Sequence, residues 1–245
     1  APLLVLLVAL ATGITWGPID AETGDRGSGM LATGSDAVGR TTAERLDAVV
    51  AQVRDDLHAP ALVVMVRLDD GTTYGLAVGD AALSVDGERI PATLDTPFVL
   101  GSLTKSFVAA ALLQLAEKGR VDLDGPIEGD LPTYPGGTAI TPRMLLRHTA
   151  GLYDYFAHPR FEQLVFGRPH HAWTFEEILE LVLAPHRAPG TGFRYSNTGY
   201  ILAGRIVGLR TGRDPAKVIR TRFLRPLGLT SMSFQGRERI RGVAA

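Results

Sequence analysis

Apolar residues recur at helical spacing in the first patterned stretch of the chain, which begins at Thr41. Thr41 and Glu44 form a capping-box sequence, and apolar residues then return every three or four positions over 46–57. After this predicted helix, β-branched apolar runs over 61–68 and 72–78 flank an Asp-Asp-Gly turn signal. The pattern therefore predicts one helix followed by a β-hairpin.

Helical patterns dominate the rest of the chain. Gly119 and Gly212 are predicted to end two of these helices, and Thr174 with Glu177 forms a second capping box. Two strands in a hairpin do not make a stable sheet alone, so helices must cover them or further strands must join them. The predicted helices run over 103–118, from Thr141 to about 148, from Thr174 to about 184, over 198–209, and from Asp214 to about 224.

The N-terminal stretch has a different character. Residues 1–11 form an uninterrupted apolar run, and residues 17–40 contain six Gly without apolar periodicity. The run is too short for an ordinary membrane helix but has the length of a signal-peptide core, and residues 9–11 match an A-x-A cleavage site. A buried strand is the alternative, but a flexible linker directly after such a strand would be unusual.

We therefore predict that 1–16 is the remnant of a signal peptide or membrane anchor and that 17–40 is a flexible linker. This interpretation makes the protein extracytoplasmic, either secreted or membrane-anchored. In the anchored case the chain associates with the membrane through its N-terminus.

The composition is that of a globular protein, with 45% apolar residues, 21% charged residues and a net charge of −1. Cys is absent, which excludes disulfides, thiolate metal ligands and a cysteine nucleophile. Basic residues concentrate from Arg205 onward with few aromatics among them, so we expect a solvated face and no nucleic-acid partner. His170 and His171 lack carboxylates at metal-binding spacing, and we predict neither a metal nor a cofactor.

Ser102 and Lys105 stand three residues apart at the start of the predicted helix 103–118. A Ser hydroxyl becomes a strong nucleophile only when a base takes its proton, and residues i and i+3 share a helix face. The helix N-terminus also favours the negative charge that develops during acyl transfer. Later in the chain, Tyr195 can carry a proton, and the amide of Asn197 can donate to a substrate carbonyl and accept from Lys105.

Each of these four residues also has an interpretation without catalysis. Ser102 and Asn197 could each be the N-cap of a helix. Lys105 could be a solvated residue of the first turn, and Tyr195 could pack on the core as a loop aromatic. The combination favours nucleophilic catalysis, because the chain has only three Lys and one Asn.

Three motifs stand in an order that resembles the class C β-lactamase and penicillin-binding-protein-like serine hydrolase family. They are S-x-x-K at 102–105, H-T-A-G-L at 148–152 and Y-S-N at 195–197. The segments around them are also similar to the family, and the resemblance extends from about residue 41 to about residue 235. These segments are FVLGSLTK at 98–105, LAEKGRVDLD at 115–124, MLLRHTAGL at 144–152, PGTGFRYSNTGY at 189–200 and RFLRPLGLTSM at 222–232.

The resemblance implies an α/β (α+β) fold of the β-lactamase/transpeptidase type, with an antiparallel sheet flanked by helices and a helical subdomain. It implies that Ser102 is the acylated nucleophile, that Lys105 is the proton acceptor or electrostatic partner, and that Tyr195 is the general base and acid. Asn197 would position the substrate, and the backbone N–H of Ser102 would supply half of the oxyanion hole. The family gives the stretch around His148 a structural role, so we predict that His148 stabilises a turn.

The chain departs from the family pattern after Asn197, where the expected K-x-G or H-x-G motif does not occur. We therefore expect 41–245 to be an incomplete domain that lacks the C-terminal strands, folds poorly and turns over little substrate. The resemblance implies a β-lactamase, a D-alanyl-D-alanine carboxypeptidase or an esterase, with a small-molecule or peptidoglycan-peptide substrate. The alternative is a truncated or catalytically dead member that binds a cell-wall peptide or a protein partner.

Overall fold

A computed structural model describes residues 40–69, 71–83, 87–168, 171–234 and 238. The described residues form two compact units, of which the first ends at Val99 and the second begins at Leu100. The predicted export segment 1–16 and the predicted linker, apart from Arg40, lie outside the described residues. Within the described ranges, no helix combines the length and the apolar character needed to cross a bilayer.

The first unit contains a helix and an antiparallel sheet with the strand order β1-β2-β3. The predicted hairpin is confirmed, since β1 and β2 pair antiparallel with Ala61 opposite Gly79. The sequence pattern does not predict β3, which is three exposed residues long and ends in Pro. The elements are α1 (Arg40–Asp56), β1 (Ala61–Arg67), β2 (Thr73–Leu83) and β3 (Arg89–Pro91).

Helix α1 is held on the sheet by apolar packing and by a hydrogen bond between Asp47 and Tyr74. Ala43 of α1 and Tyr74 of β2 are both buried, and the Tyr74 hydroxyl donates to Asp47 at 2.5 Å. Burial and the Asp47 carboxylate raise the pKa of Tyr74, so the phenol keeps the proton that it donates. The predicted capping box of Thr41 and Glu44 is wrong, since the helix already begins at Arg40 and Thr41 therefore lies inside it.

The second unit is mainly helical. Its α-helices are α2 (Thr104–Glu117), α3 (Pro142–Leu146), α4 (Phe161–Gly167), α5 (Phe175–Leu179), α6 (Asn197–Thr211) and α7 (Pro215–Ile219). A π-helical turn follows α7 at Arg220–Leu224, and single 3₁₀ turns occur at Gly101–Leu103, Ile127–Gly129 and Tyr155–Ala157.

The predicted boundary residues account for most of these helices. Thr174 and Glu177 form both bonds of the predicted capping box, and Gly212 ends α6 with a φ of +65°. Helix α5 ends at Leu179 rather than near 184, because the backbone then changes to bonds of 3₁₀ type, in which Leu181 N–H donates to Ile178 and Val182 N–H to Leu179. The sequence predictions also do not include α4, a helix of seven residues whose apolar positions Phe161, Leu164 and Val165 are only half-buried.

The core of the second unit lies between α2 and α6. Leu112 and Leu115 of α2 are fully buried, and they belong to the same apolar cluster as Leu202 and Ile206 of α6. Burying such side chains contributes about 1.5–3 kcal/mol each, so this contact holds the two helices firmly together. The N-terminal ends of α2 and α6 carry the predicted site residues.

Candidate active site

Ser102 lies in the 3₁₀ turn Gly101–Leu103 that leads directly into α2, and it is exposed. Its interpretation as a helix cap is wrong, because the N-cap of α2 is Leu103 and the cap of the 3₁₀ turn is Leu100. The hydroxyl is therefore available for partners outside its own helix.

The structure brings all four predicted site residues together. Ser102 Oγ lies 2.7 Å from the Tyr195 hydroxyl, and Lys105 Nζ donates to the same Ser102 oxygen at 3.0 Å. Lys105 Nζ also donates to Asn197 Oδ1 at 2.6 Å, which is the contact expected from the sequence. Tyr195 and Asn197 are more than ninety residues away from Ser102 and Lys105 along the chain, so only the packing of α6 on α2 explains their meeting. The catalytic roles of these residues stay predictions.

Lys105 is half-buried between aromatic rings rather than solvated. Its Nζ lies 5.0 Å from the ring centroid of Tyr195 and 5.7 Å from that of Tyr200. Both distances are within the range of cation–π attraction, which adds to the two hydrogen bonds of the ammonium group. The alternative of a solvated first-turn lysine is therefore wrong.

Asn197 is the first residue of α6, and its N-cap is Ser196, so the interpretation of Asn197 as a cap is also wrong. The side chain instead bridges two charged groups. Its Oδ1 accepts from Lys105, and its Nδ2 donates to Asp154 at 3.2 Å to Oδ1 and 3.0 Å to Oδ2. Nδ2 carries two hydrogens, so the predicted donation to a substrate is compatible with this bridge.

Asp154 is the site residue that the sequence analysis misses. Besides the Asn197 side chain, it accepts from the backbone N–H of Asn197 at 3.3 Å and from that of Phe156 at 3.2 Å. One sequence signal marks it, since it is the lone acidic residue between Asp130 and Glu162 and directly follows the H-T-A-G-L motif and Tyr153. That signal alone does not separate a turn-capping Asp from one that serves a site.

His148 shapes the other side of Tyr195. Its ring stacks on the Tyr195 ring with centroids 4.4 Å apart, and its Nδ1 accepts from the backbone N–H of Ser196 at 3.2 Å. Its backbone has a φ of +56°, and its carbonyl accepts from Arg194 at 2.8 Å. Burial, and secondly the charge of Lys105, lower the pKa of His148, which keeps the ring neutral and able to accept at Nδ1. These contacts agree with the turn-stabilising role predicted for it.

Two further phenols near the site stay protonated. Burial, then Asp154 and Tyr195, raise the pKa of Tyr155 to about 12. Burial and Tyr195 also raise the pKa of Tyr200, whose hydroxyl donates to the Leu146 carbonyl at 3.1 Å. Tyr195, with 42% of its surface exposed, is the phenol that contacts Ser102.

His171 lies away from these contacts. Its Nε2 is 2.9 Å from Glu177 Oε1, and its ring meets Trp173 edge to face. His170 is outside the described residues. In the part of the chain that the structure describes, no three His, Asp or Glu side chains cluster closely enough to hold a metal ion.

The profile of the beta-lactamase family matches residues 46–244, and the chain belongs to this family. Penicillin-binding protein 4* of Bacillus subtilis is 31% identical over 146 residues, which are 58% of this chain and 31% of that protein. The D-amino acid amidase of Ochrobactrum anthropi has a TM-score of 0.67 and 29% identity, over 80% of this chain and 53% of the amidase. A D-stereospecific amidohydrolase of Streptomyces has a TM-score of 0.65 and 32% identity, over 77% of this chain and 55% of that one.

These similarities confirm the predicted family and the predicted α/β fold of the β-lactamase/transpeptidase type. The match covers 31% of the length of the Bacillus subtilis protein and 46% of the length of penicillin-binding protein 4 of Amycolatopsis lactamdurans. It covers 53% and 55% of the length of the two solved structures.

Proposed function

We propose that this chain carries the nucleophile of a serine hydrolase that works through an acyl-enzyme on Ser102. The observation that carries the proposal is that Ser102 Oγ lies within hydrogen-bond distance of two groups that can take part in proton transfer. These are the Tyr195 hydroxyl at 2.7 Å and Lys105 Nζ at 3.0 Å. General acid–base catalysis requires such contacts of about 2.6–3.2 Å, and membership of the beta-lactamase family supports the same chemistry.

In the acylation step, Ser102 Oγ bonds to the substrate carbonyl carbon while its proton passes to the Tyr195 oxygen, which has lost its own proton beforehand. The carbonyl oxygen takes up the negative charge, and the tetrahedral intermediate then collapses with cleavage of the bond to the leaving group. Tyr195 returns the proton to that leaving group. The positive charge of Lys105, 3.0 Å from Ser102 Oγ, stabilises the negative charge that develops around the serine.

Deacylation completes the cycle with the same residues. Water attacks the ester carbonyl of the acyl-enzyme, Tyr195 accepts a proton from that water, and Ser102 recovers its hydroxyl as the acid product leaves. The backbone N–H groups at the start of α2 point toward the serine end of the helix, where an oxyanion gains from the helix dipole. The oxyanion role of the Ser102 N–H, which the family resemblance implies, stays part of this proposal.

We propose that the substrate is an amide. Its reactive carbonyl group is either attached to a D-configured carbon or part of a β-lactam ring. Relatives named D-amino acid amidase, D-stereospecific amidohydrolase and penicillin-binding protein support amide substrates of this kind. Simple esters have a better leaving group and the same electrophilic carbon, so we expect them to acylate Ser102 as well.

A substrate panel tests this proposal. Purified protein is incubated with a D-amino acid amide, its L enantiomer, a D-alanyl-D-alanine peptide, a chromogenic β-lactam and a p-nitrophenyl ester, and product formation is followed for the wild type and for Ser102→Ala. We expect the wild type to hydrolyse the D amide faster than the L amide. We expect Ser102→Ala to form no product above the uncatalysed rate. Binding of a peptide without any Ser102-dependent product would support the alternative of a non-catalytic binding protein.

Export of the chain also stays a proposal, supported by the apolar run over 1–11 and the Gly-rich segment 17–40. Membrane fractionation of cells that produce the chain tests it, with recovery of all the protein in the cytoplasmic fraction as the result against it.

A further inference from the structure

The Asp154 carboxylate and the Lys105 ammonium are joined through one amide. The contacts run from Asp154 to Asn197 Nδ2 at 3.0 and 3.2 Å, and from Asn197 Oδ1 to Lys105 Nζ at 2.6 Å. Lys105 then reaches Ser102 Oγ at 3.0 Å. A negative and a positive group therefore hold the two ends of the Asn197 side chain.

The chemistry of the two ends fixes the amide in one orientation. A carboxylate only accepts hydrogen bonds and an ammonium group only donates them, so Nδ2 must face Asp154 and Oδ1 must face Lys105. The flipped amide would place Oδ1 against a carboxylate and an N–H donor against an ammonium group, and both contacts would repel. Asp154 thereby ensures that Lys105 meets an acceptor.

The Asp154 carboxylate is itself held in place. The backbone N–H of Phe156 donates to Oδ1 at 3.2 Å, which makes Asp154 the N-cap of the turn Tyr155–Ala157. The backbone N–H of Asn197, at the start of α6, donates to the same oxygen at 3.3 Å. Oδ2 accepts from the Asn197 side chain at 3.0 Å, and this contact is not needed for capping.

We propose that Asp154 is a positioning residue, which orients Asn197 and through it holds the Lys105 ammonium against the nucleophile Ser102. The proposal builds on the acyl-enzyme function proposed above for Ser102. It adds a residue outside the three sequence motifs, with a role that does not require contact with substrate.

The composition of the chain offers a direct test, because Asn197 is its single Asn. Supplying asparagine with ¹⁵N in the side-chain amide gives one NH₂ pair in a proton–nitrogen spectrum of the full chain. We compare the wild type with Asp154→Ser, which keeps a capping oxygen but removes the carboxylate, and introduces no second Asn. The matched control is Asp214→Ser, which makes the same exchange at the N-cap of α7.

In the wild type we expect one Nδ2 proton to exchange with water roughly 10-fold or more slowly than in Asp154→Ser, as for a hydrogen bond to a charged acceptor. Asp214→Ser should keep the wild-type exchange rate. Equal exchange in the wild type and Asp154→Ser would overturn the proposal, whatever the catalytic activity of the chain.

The second readout is the rate constant for reaction of Ser102 with a fluorophosphonate, which measures nucleophilicity. Asp154→Ser should lower it by roughly 10–100-fold, by analogy with the loss of a group that orients a metal ligand. In an Asn197→Ala background the same change should cost less than about 2-fold, because the coupling partner is gone. Additive losses in the two backgrounds would show that Asp154 acts by another route and would overturn the proposal.

The two readouts separate the two claims. A wild type that fails to react with the fluorophosphonate refutes the acyl-enzyme function of Ser102, and the amide exchange of Asn197 still decides whether Asp154 orients it.

Discussion

We predict that replacing Gly151 of the H-T-A-G-L motif destabilises the fold, because the backbone of Arg187 approaches it closely. Its φ is +70°, and a Cβ added there would lie 2.2 Å from the carbonyl oxygen of Arg187. The Gly151 carbonyl also accepts from the backbone N–H of His186 at 2.9 Å, so the two segments pair at this point. Gly136 is a matched control, because it has a φ of +77° and open space around the added Cβ.

The two Gly→Ala changes differ only by the clash. A left-handed backbone costs a residue with a Cβ about 1–2 kcal/mol, which applies to both positions. At Gly151 the two backbone segments must also separate, and a forced shift in a packed region costs a further 1–3 kcal/mol or so. Gly151→Ala should therefore lose about 2–5 kcal/mol and Gly136→Ala about 1–2 kcal/mol.

Thermal unfolding followed by circular dichroism measures the difference. For a chain of this length, 1 kcal/mol corresponds to about 2–4 °C, so Gly151→Ala should melt about 2–12 °C below Gly136→Ala. The displaced turn carries His148, which stacks on Tyr195, so fluorophosphonate reaction of Ser102 should slow in Gly151→Ala alone. Equal melting temperatures for the two variants would refute the argument from backbone approach.

Three further predictions concern the site. Tyr195→Phe removes the hydroxyl 2.7 Å from Ser102 Oγ but keeps the ring stacked on His148. The acylation rate should therefore fall about 10²–10⁴-fold while the melting temperature stays unchanged. A rate loss below about tenfold would contradict a general-base role. Lys105→Met keeps the length of the side chain but removes the charge, and stopped-flow acylation should be at least about 10²-fold slower; an unchanged rate would be evidence against its electrostatic role. The pKa of His148 lies below its ordinary value of 6.5, so the unfolded chain binds a proton first and stability should decrease as the pH falls below about 6.5. Urea unfolding at pH 5 and 7.5 should show this loss, and His148→Gln should show a smaller one.

The sequence predicts Ser102 and Lys105 as a pair because their contact is local. The geometry of one helical turn brings positions i and i+3 together. Tyr195 and Asn197 are different, because their approach depends on the packing of α6 against α2. No periodicity contains that information, and the family resemblance supplies it.

Asp154 could not be predicted for the same physical reason. Its sequence context is that of a turn-capping Asp, and capping Phe156 is indeed one of its contacts. Its contact with Asn197 arises only when the turn Tyr155–Ala157 meets the start of α6. At the level of the fold, periodicity finds the hairpin and the long helices. Strand β3, with three exposed residues, leaves no pattern, and α4, with seven residues, is too short for its apolar spacing to stand out.

Covalent labelling of the nucleophile tests the central claim most directly. The full chain is incubated with a fluorophosphonate, its intact mass is measured, and the labelled peptide is sequenced for the wild type and Ser102→Ala. Of the eight Ser in the chain, we expect Ser102 alone to carry the phosphonyl group, with one adduct per molecule and none in Ser102→Ala. An unlabelled wild type, or an adduct that persists in Ser102→Ala, would contradict the account.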